Sequence, residues 1–259
     1  MQISGNTIFI PGGTGGLGLA LATRLADRGN TVVIGGRRVS ELERIVAEHP
    51  ALAAVRIDTT DPDSIAEAAR EVVARHPDLN VLVTMAGIMR VEDWHTPDGF
   101  LASAETVITT NLLGTVRLIA AFVEQLESRS DATIMTVSSG LAFAPLAATP
   151  SYNASKAGVH LLSESLRLQL ADTPVKVVEL EPPSVATELL PGQSKSPFAM
   201  PVDDFADEVI QILERDPDVR EVQVERVKFL RYGEARGDYE QVVATLNHLD
   251  PHGKQQVSG

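Results

Sequence analysis

Tyr152 and Lys156 stand four residues apart in the run VSSGLAFAPLAATPSYNASK, and Ser139 lies thirteen residues before the tyrosine. A tyrosine and a lysine at that spacing share one face of a helix, about one turn apart. The ammonium favours the phenolate, so Lys156 is expected to lower the Tyr152 pKa from its usual value of about 10. A phenol so tuned can give or take a proton at a carbonyl or alcohol oxygen near neutral pH. The Ser139 hydroxyl can orient the same oxygen. Taken alone, the pair also reads as a helix-surface contact, so the elements that would position it have to decide.

Upstream, Thr7 to Ile10 is a β-branched, apolar run that ends in Pro-Gly-Gly-Thr-Gly-Gly-Leu-Gly. Leu17, Leu21 and Leu25 then fall at helical spacing, and strand, glycine turn, helix is the context of a dinucleotide fingerprint. Gly12 permits the tight turn, Gly16 lets backbone approach a pyrophosphate, and Gly18 lets helix pack on strand. Free N–H groups and the dipole at the helix start favour the phosphates. Thr14, Gly15 and Leu17 complete this cofactor-binding turn. Further strands are expected at 31–35, 54–58, 80–84, 132–138, 175–180 and 221–224. Helices are expected at 16–28, 40–48, 62–76, 103–127, 153–171 and 203–215. Alternation of this kind predicts an α/β domain, a Rossmann-type, doubly wound three-layer sandwich around a seven-stranded, mostly parallel sheet. Ligands of such sheets bind beyond the strand C-termini, where strand order reverses.

The second strand ends in Val33-Ile-Gly-Gly-Arg37-Arg38, without the acidic residue that accepts from a ribose 2′-hydroxyl. Arg37 can meet a 2′-phosphate through a charge-assisted contact, with Arg38 stacking on adenine or assisting. NADP(H) is therefore predicted over NAD(H), which remains the alternative.

The glycine spacing at 12, 16 and 18, with Tyr152 and Lys156, resembles the short-chain dehydrogenase/reductase family in its single-domain form. The motifs come in that family's order: PGGTGGLG, TMAG (84–87), Asn111, Ser139, Tyr152/Lys156 and EPPSVATEL (181–189). The stretch around Tyr152 and the double proline at 182–183 resemble its DltE-like bacterial branch. The resemblance implies an oxidoreductase that interconverts a carbonyl and an alcohol of a small organic substrate, with Tyr152 as general acid/base. It implies a catalytic set of Asn111, Ser139, Tyr152 and Lys156. Asn111 there holds a helix irregularity, and Lys156 also bonds the nicotinamide ribose. It implies that Asp58 accepts from the adenine amine, Thr59 supplies backbone contacts, and Ala86 and Gly87 let backbone pass the ribose. Pro182, Val185 and Thr187 match the segment beside the carboxamide. Thr84-Met85 replaces the usual pair of asparagines, Pro11 a threonine and Pro183 a glycine. A non-catalytic NADP-binding regulator, or an epimerase or dehydratase that retains its cofactor, is the competing reading.

At 259 residues the chain suits one domain, expected to span 1–259. A net charge of −13 and the lack of a basic block argue against nucleic-acid binding. No cysteine is present, and the histidines show no metal-ligand spacing, so no metal is expected. With no signal peptide recognised, and Arg117 and Glu124 in the most apolar helix, neither a membrane span nor export is expected and cytoplasmic location is the default. Residues 189–202 read as a substrate lid or a plain surface loop. Leu141, Phe143, Met89, Trp94, Leu189 and Phe198 are candidate pocket residues, and His95 a candidate polar contact. Residues 226–259 are expected to add an amphipathic helix at about 234–248, at a subunit contact. A homodimer or homotetramer is the expected assembly.

Overall fold

Short runs rich in Val, Ile and Thr form seven strands: β1 (Thr7–Pro11), β2 (Thr31–Gly36), β3 (Leu52–Arg56), β4 (Val81–Thr84), β5 (Ala132–Val137), β6 (Val175–Leu180) and β7 (Glu221–Val222). In the computed structural model, which describes residues 1–249, they make one sheet in the order β3-β2-β1-β4-β5-β6-β7. Every neighbouring pair is parallel. The chain builds outward from β1 to β3, then crosses back to place β4 on the other side of β1. Connections leaving β1 and β4 diverge there, which opens a crevice at their C-terminal ends.

Side chains alternate across the sheet as the pleat requires. Ile8 and Ile10 join one core with Leu21 and Leu25 of α1 (Gly16–Ala26), Leu42 of α2 (Val39–Glu48) and Phe205 of α7 (Val202–Arg215). Phe9 points the other way, into a core with Ile65 and Val72 of α3 (Pro62–Arg75) and Leu118 and Phe122 of α5 (Gly114–Glu127). The rings of Phe9 and Phe122 lie 5.3 Å apart. Helix α4 (Pro97–Ile108) runs into α5 through a π turn at Thr109–Leu113. By length and composition the run Pro97–Glu127 could cross a membrane, yet Leu118, Phe122 and Leu126 are buried against the sheet. Helix α6 (Pro150–Gln169) carries the Tyr-Lys pair.

Several boundaries differ from expectation for local reasons. Strand β3 begins at Leu52 because Leu52 pairs with Val32, and it ends at Arg56, where Ile57 N still donates to Gly36 O at 2.9 Å. Helices α4 and α6 start at Pro97 and Pro150, each a proline in the first turn, where a missing N–H costs nothing. The C-terminal helix expected at about 234–248 is two pieces, α9 (Gly233–Arg236) and α10 (Tyr239–Leu249), after the short α8 (Lys228–Arg231). Gly237, at φ 80°, caps α9 in the left-handed region and breaks the run. The last part of the expected C-terminal extension, 250–259, lies outside the described residues.

Candidate active site

A cleft of about 680 Å³ opens over the C-terminal ends of β1 and β4. Gly12, Thr14, Gly15, Gly16, Leu17 and Gly18 line it, with Arg37, Arg38, Asp58, Thr59, Ala86 and Gly87. Ser139, Tyr152, Lys156, Pro182, Val185 and Thr187 close the other end. Asn111, 1% exposed, is not on the cleft wall.

The glycine turn fits a dinucleotide on its own geometry. Gly12 sits at φ 91°, and a Cβ there would lie 2.6 Å from Ala86 N. A Cβ on Gly18 would lie 2.3 Å from Gly12 O, so the first turn of α1 can press against the loop only as glycine. Gly15 caps α1 with no side-chain hydrogen bond and the first turn holds no acidic residue. Its N–H groups are left for an anion. The Ser138 hydroxyl, on the same cleft, is buried without a partner.

At the adenosine end the two arginines differ. Arg38 is tied to Glu41, with Nε donating to Oε2 at 2.7 Å. Arg37 is exposed and makes no ion pair among the described residues. Asp58 Oδ1 accepts from Thr60 N at 2.9 Å and Thr60 Oγ1 at 2.7 Å. Burial pushes the Asp58 pKa up, but these bonds and the charges of Arg37 and Arg56 together hold it below its ordinary value.

At the other end, Ser139, Tyr152 and Lys156 are all buried. Ser139 leaves the tip of β5, and its Oγ accepts from Leu141 N at 3.1 Å. Gly140 N donates to Pro182 O at 2.9 Å, which ties this turn to the exit of β6. Lys156 Nζ donates to Val137 O at 2.8 Å and stands 5.6 Å from the centre of the Tyr152 ring. The electrostatics correct one expectation. Burial raises the Tyr152 pKa to about 12, against a hydrogen bond from Ser139. Burial likewise lowers Lys156 to about 8. Desolvation dominates both shifts, because both groups are shut away from water.

Asn111 occupies the π turn and braces the site from behind. Its Oδ1 accepts from Ile88 N at 2.9 Å, while Nδ2 donates to Ile88 O at 2.9 Å and Ser155 Oγ at 3.0 Å. Ser155 Oγ donates in turn to Tyr152 O at 2.7 Å. Thr84, in place of a family asparagine, leaves its own Oγ1 buried without a partner.

A second cavity of about 530 Å³ adjoins the cleft. Met89, Leu141, Leu189 and Phe198 line it as expected. Trp94 and Phe143 are not on its wall: Trp94 stacks on Phe100 at 4.1 Å, and Phe143 packs against His160 and the Arg231 guanidinium. His95 pairs with Asp93 at the surface. At the base of 189–202, Ala186 N donates to Met200 O and Met200 N to Ser184 O, so the end of the segment is stitched to the residues that precede it beside the cavity.

Two features escaped the sequence reading. Glu92, 3% exposed, accepts from Ser151 N at 3.1 Å, Trp94 Nε1 at 3.0 Å and Ser103 Oγ at 2.8 Å. It thereby holds the first turn of α6, one residue before Tyr152. No local pattern signals a contact spanning that much chain. The second is the far wall of the cavity, formed by Arg226, Phe229, Leu230, Thr245 and Leu246. Of these, Thr245 and Leu246 fall in the stretch expected as a helix at a subunit contact.

The short chain dehydrogenase family model matches residues 6–197. The oxidoreductase DltE of Bacillus subtilis is 39% identical over 191 residues, 73% of this chain and 75% of that protein. A 1-deoxy-11-beta-hydroxypentalenate dehydrogenase of Streptomyces avermitilis is 32% identical over 200 residues, 74% of this chain and 73% of the relative. A short chain dehydrogenase of Burkholderia cenocepacia, crystallised with NADP, superposes with a TM-score of 0.79 at 29% identity, over 95% of this chain and 99% of that one. With the phosphate-ready glycine turn, the crossover crevice and the family match over most of the sheet, this chain belongs to the short-chain dehydrogenase/reductase family, on the DltE-like side, and is an oxidoreductase that works with a nicotinamide cofactor.

Proposed function

We propose that the protein is an NADP(H)-dependent ketoreductase in which Tyr152 is the proton donor. The observation that carries this reading is the junction of the two cavities. Ser139 and Tyr152 belong to the walls of both the nucleotide cleft and the apolar cavity. A carbonyl held in the second cavity can thus meet the reactive end of a dinucleotide held in the first.

Bound in the cleft, a reduced nicotinamide supplies a hydride. The chain's own residues handle the oxygen. Ser139 donates a hydrogen bond to it as charge develops, and Tyr152 transfers its phenolic proton to it, so that ketone, hydride and proton yield the alcohol. A phenol whose pKa is about 12 is fully protonated at neutral pH, the form a reductive step needs. Lys156, as the ammonium, stabilises the phenolate left behind until solvent returns the proton. Asn111 and Glu92 are positioning residues for α6.

Arg37 supports NADP(H) over NAD(H), since it is free of ion pairs among the described residues and no carboxylate stands at the end of β2. The NADP in the Burkholderia cenocepacia relative points the same way. Exposed Leu161 and Leu168, on one face of α6, are suited to pairing with a second copy. The test is NADPH oxidation with a panel of ketones. Stoichiometric alcohol is expected; tight NADPH binding without turnover of any ketone would leave a cofactor-binding regulator instead.

A further inference from the structure

The cavity beside Tyr152 is walled mainly by carbon. Met89, Leu146, Leu190, Phe229, Leu230 and Leu246 are among the side chains around it. Arg226 is the only charged one among the described residues that reaches it. Among the described residues Arg226 has no carboxylate partner and no hydrogen bond through its guanidinium. Its neighbours are engaged: Lys228 pairs with Glu225, Arg231 with Glu181 and Glu221, and Arg236 with Asp238. Arg226 is exposed where it lines this apolar cavity, so its guanidinium can meet an anionic group on whatever the cavity holds. A guanidinium presents a fork of donors suited to a carboxylate or similar oxyanion.

The wall that carries Arg226 is held in place. Val227 is fully buried, and a Cβ on Gly140 would come within 3.0 Å of it and 2.7 Å of Leu230, so the 225–231 segment rests directly on the turn after Ser139. Farther along, Ala147 N donates to Asn247 Oδ1 at 2.7 Å and Asn247 Nδ2 to Pro145 O at 3.0 Å, which pins α10 over the cavity. Arg226, Phe229, Leu230, Thr245 and Leu246 lie beyond residue 197, where the family match ends. The shared segment supplies the chemistry and most of the pocket, and the C-terminal segment closes its far wall.

We infer that Arg226 selects an anionic group on an otherwise apolar substrate: the carbonyl compound carries a carboxylate, or a group of like charge and shape, away from its reacting carbon. The inference rests on the ketoreductase reading for the reacting end, while the charge preference stands on the cavity itself.

The experiment pairs medium-chain oxo-carboxylates with their methyl esters, using wild type and Arg226→Gln. For wild type, kcat/KM for the acid exceeds that for the ester by roughly tenfold, mostly through KM. Arg226→Gln removes that difference, by a loss in kcat/KM that falls on the acid far more than on the ester. Equal rates for acid and ester in wild type, or an unchanged ratio in the variant, overturn the inference. Thermal shift with decanoate and methyl decanoate, neither of which has a ketone to reduce, gives a reading independent of turnover. Decanoate raises the wild-type melting midpoint and not that of the variant if Arg226 binds the anion. A matching shift in both proteins, or none in wild type, overturns it. Failure of every ketone to react, with the decanoate shift intact, would count against the ketoreductase reading alone.

Discussion

Protonation at the site is set by exclusion of water. Tyr152 keeps its proton to about pH 12 and Lys156 loses its own at about 8, both through burial. The depressed lysine is charged below that value and neutral above it, so the ammonium that steadies the phenolate fades as pH rises. In carbonyl reduction, kcat/KM should therefore fall on an alkaline limb near pH 8; a profile flat to about pH 10 would show that Lys156 is not the titrating group. At the adenosine end, Arg37→Ala should raise the KM for NADPH roughly tenfold and leave that for NADH nearly unchanged, as steady-state kinetics would show. Equal effects on both would remove the 2′-phosphate contact. Residue types announced the Tyr-Lys pair, but their spacing could not report how deeply the pair is buried. Burial therefore carries the net Tyr152 shift upward, where the spacing alone had pointed down.

Elements place these groups to within a hydrogen bond. The strands were legible because β-branched runs alternate with helical periodicity, and the glycine turn of α1 was legible because close backbone approach demands glycine at 12 and 18. The π turn at Thr109–Leu113 was not legible in the local pattern, since Thr-Thr-Asn-Leu-Leu has nothing that interrupts a helical period, and only the family resemblance gave Asn111 an irregularity to hold. What holds it open is Asn111, which pairs in both directions with the backbone of Ile88. Removing that side chain leaves the part-buried N–H and C=O of Ile88 without these partners. Asn111→Ala should cost about 2–4 kcal/mol of stability by denaturant melts, with kcat lowered more than NADPH affinity. A loss under about 0.5 kcal/mol would mean the turn holds itself. Glu92 at the start of α6 and the clasp of Asn247 on 145–147 were equally invisible, being contacts across 59 and 100 or more positions. Likewise the divided C-terminal helix follows from a single left-handed glycine, Gly237.

Across the whole molecule, charge is buried where β6, β7, α6 and α8 meet. Glu179 and Glu181 are fully buried, with His160 bonding Glu179 at 3.0 Å and Arg231 3.4 Å from Glu181. Burial, with the charges of Glu179 and Glu221, raises Glu181 to about 8, against the pull of Arg231 and Gln223. Folded Glu181 thus keeps a proton that the unfolded chain releases at about 4.5, and stability declines as pH rises between those values. His160, raised chiefly by its hydrogen bond to Glu179, adds stability below 6.5 that is lost as pH passes its folded value, so both groups act in the same direction. Glu181→Gln should raise the melting midpoint by roughly 2–6 °C at about pH 9 and change it little at about pH 5. Parallel melting of variant and wild type across that range would contradict the assignment. Glu181 directly precedes Pro182, which lines both cavities, and Tyr152 stands with Ser139 on the wall they share. The most direct measurement is therefore kcat/KM for ketone reduction by Tyr152→Phe beside its NADPH dissociation constant. A fall of roughly 100- to 10,000-fold in turnover, with cofactor affinity within about twofold of wild type, is the predicted result. Turnover retained by the phenylalanine variant would contradict it.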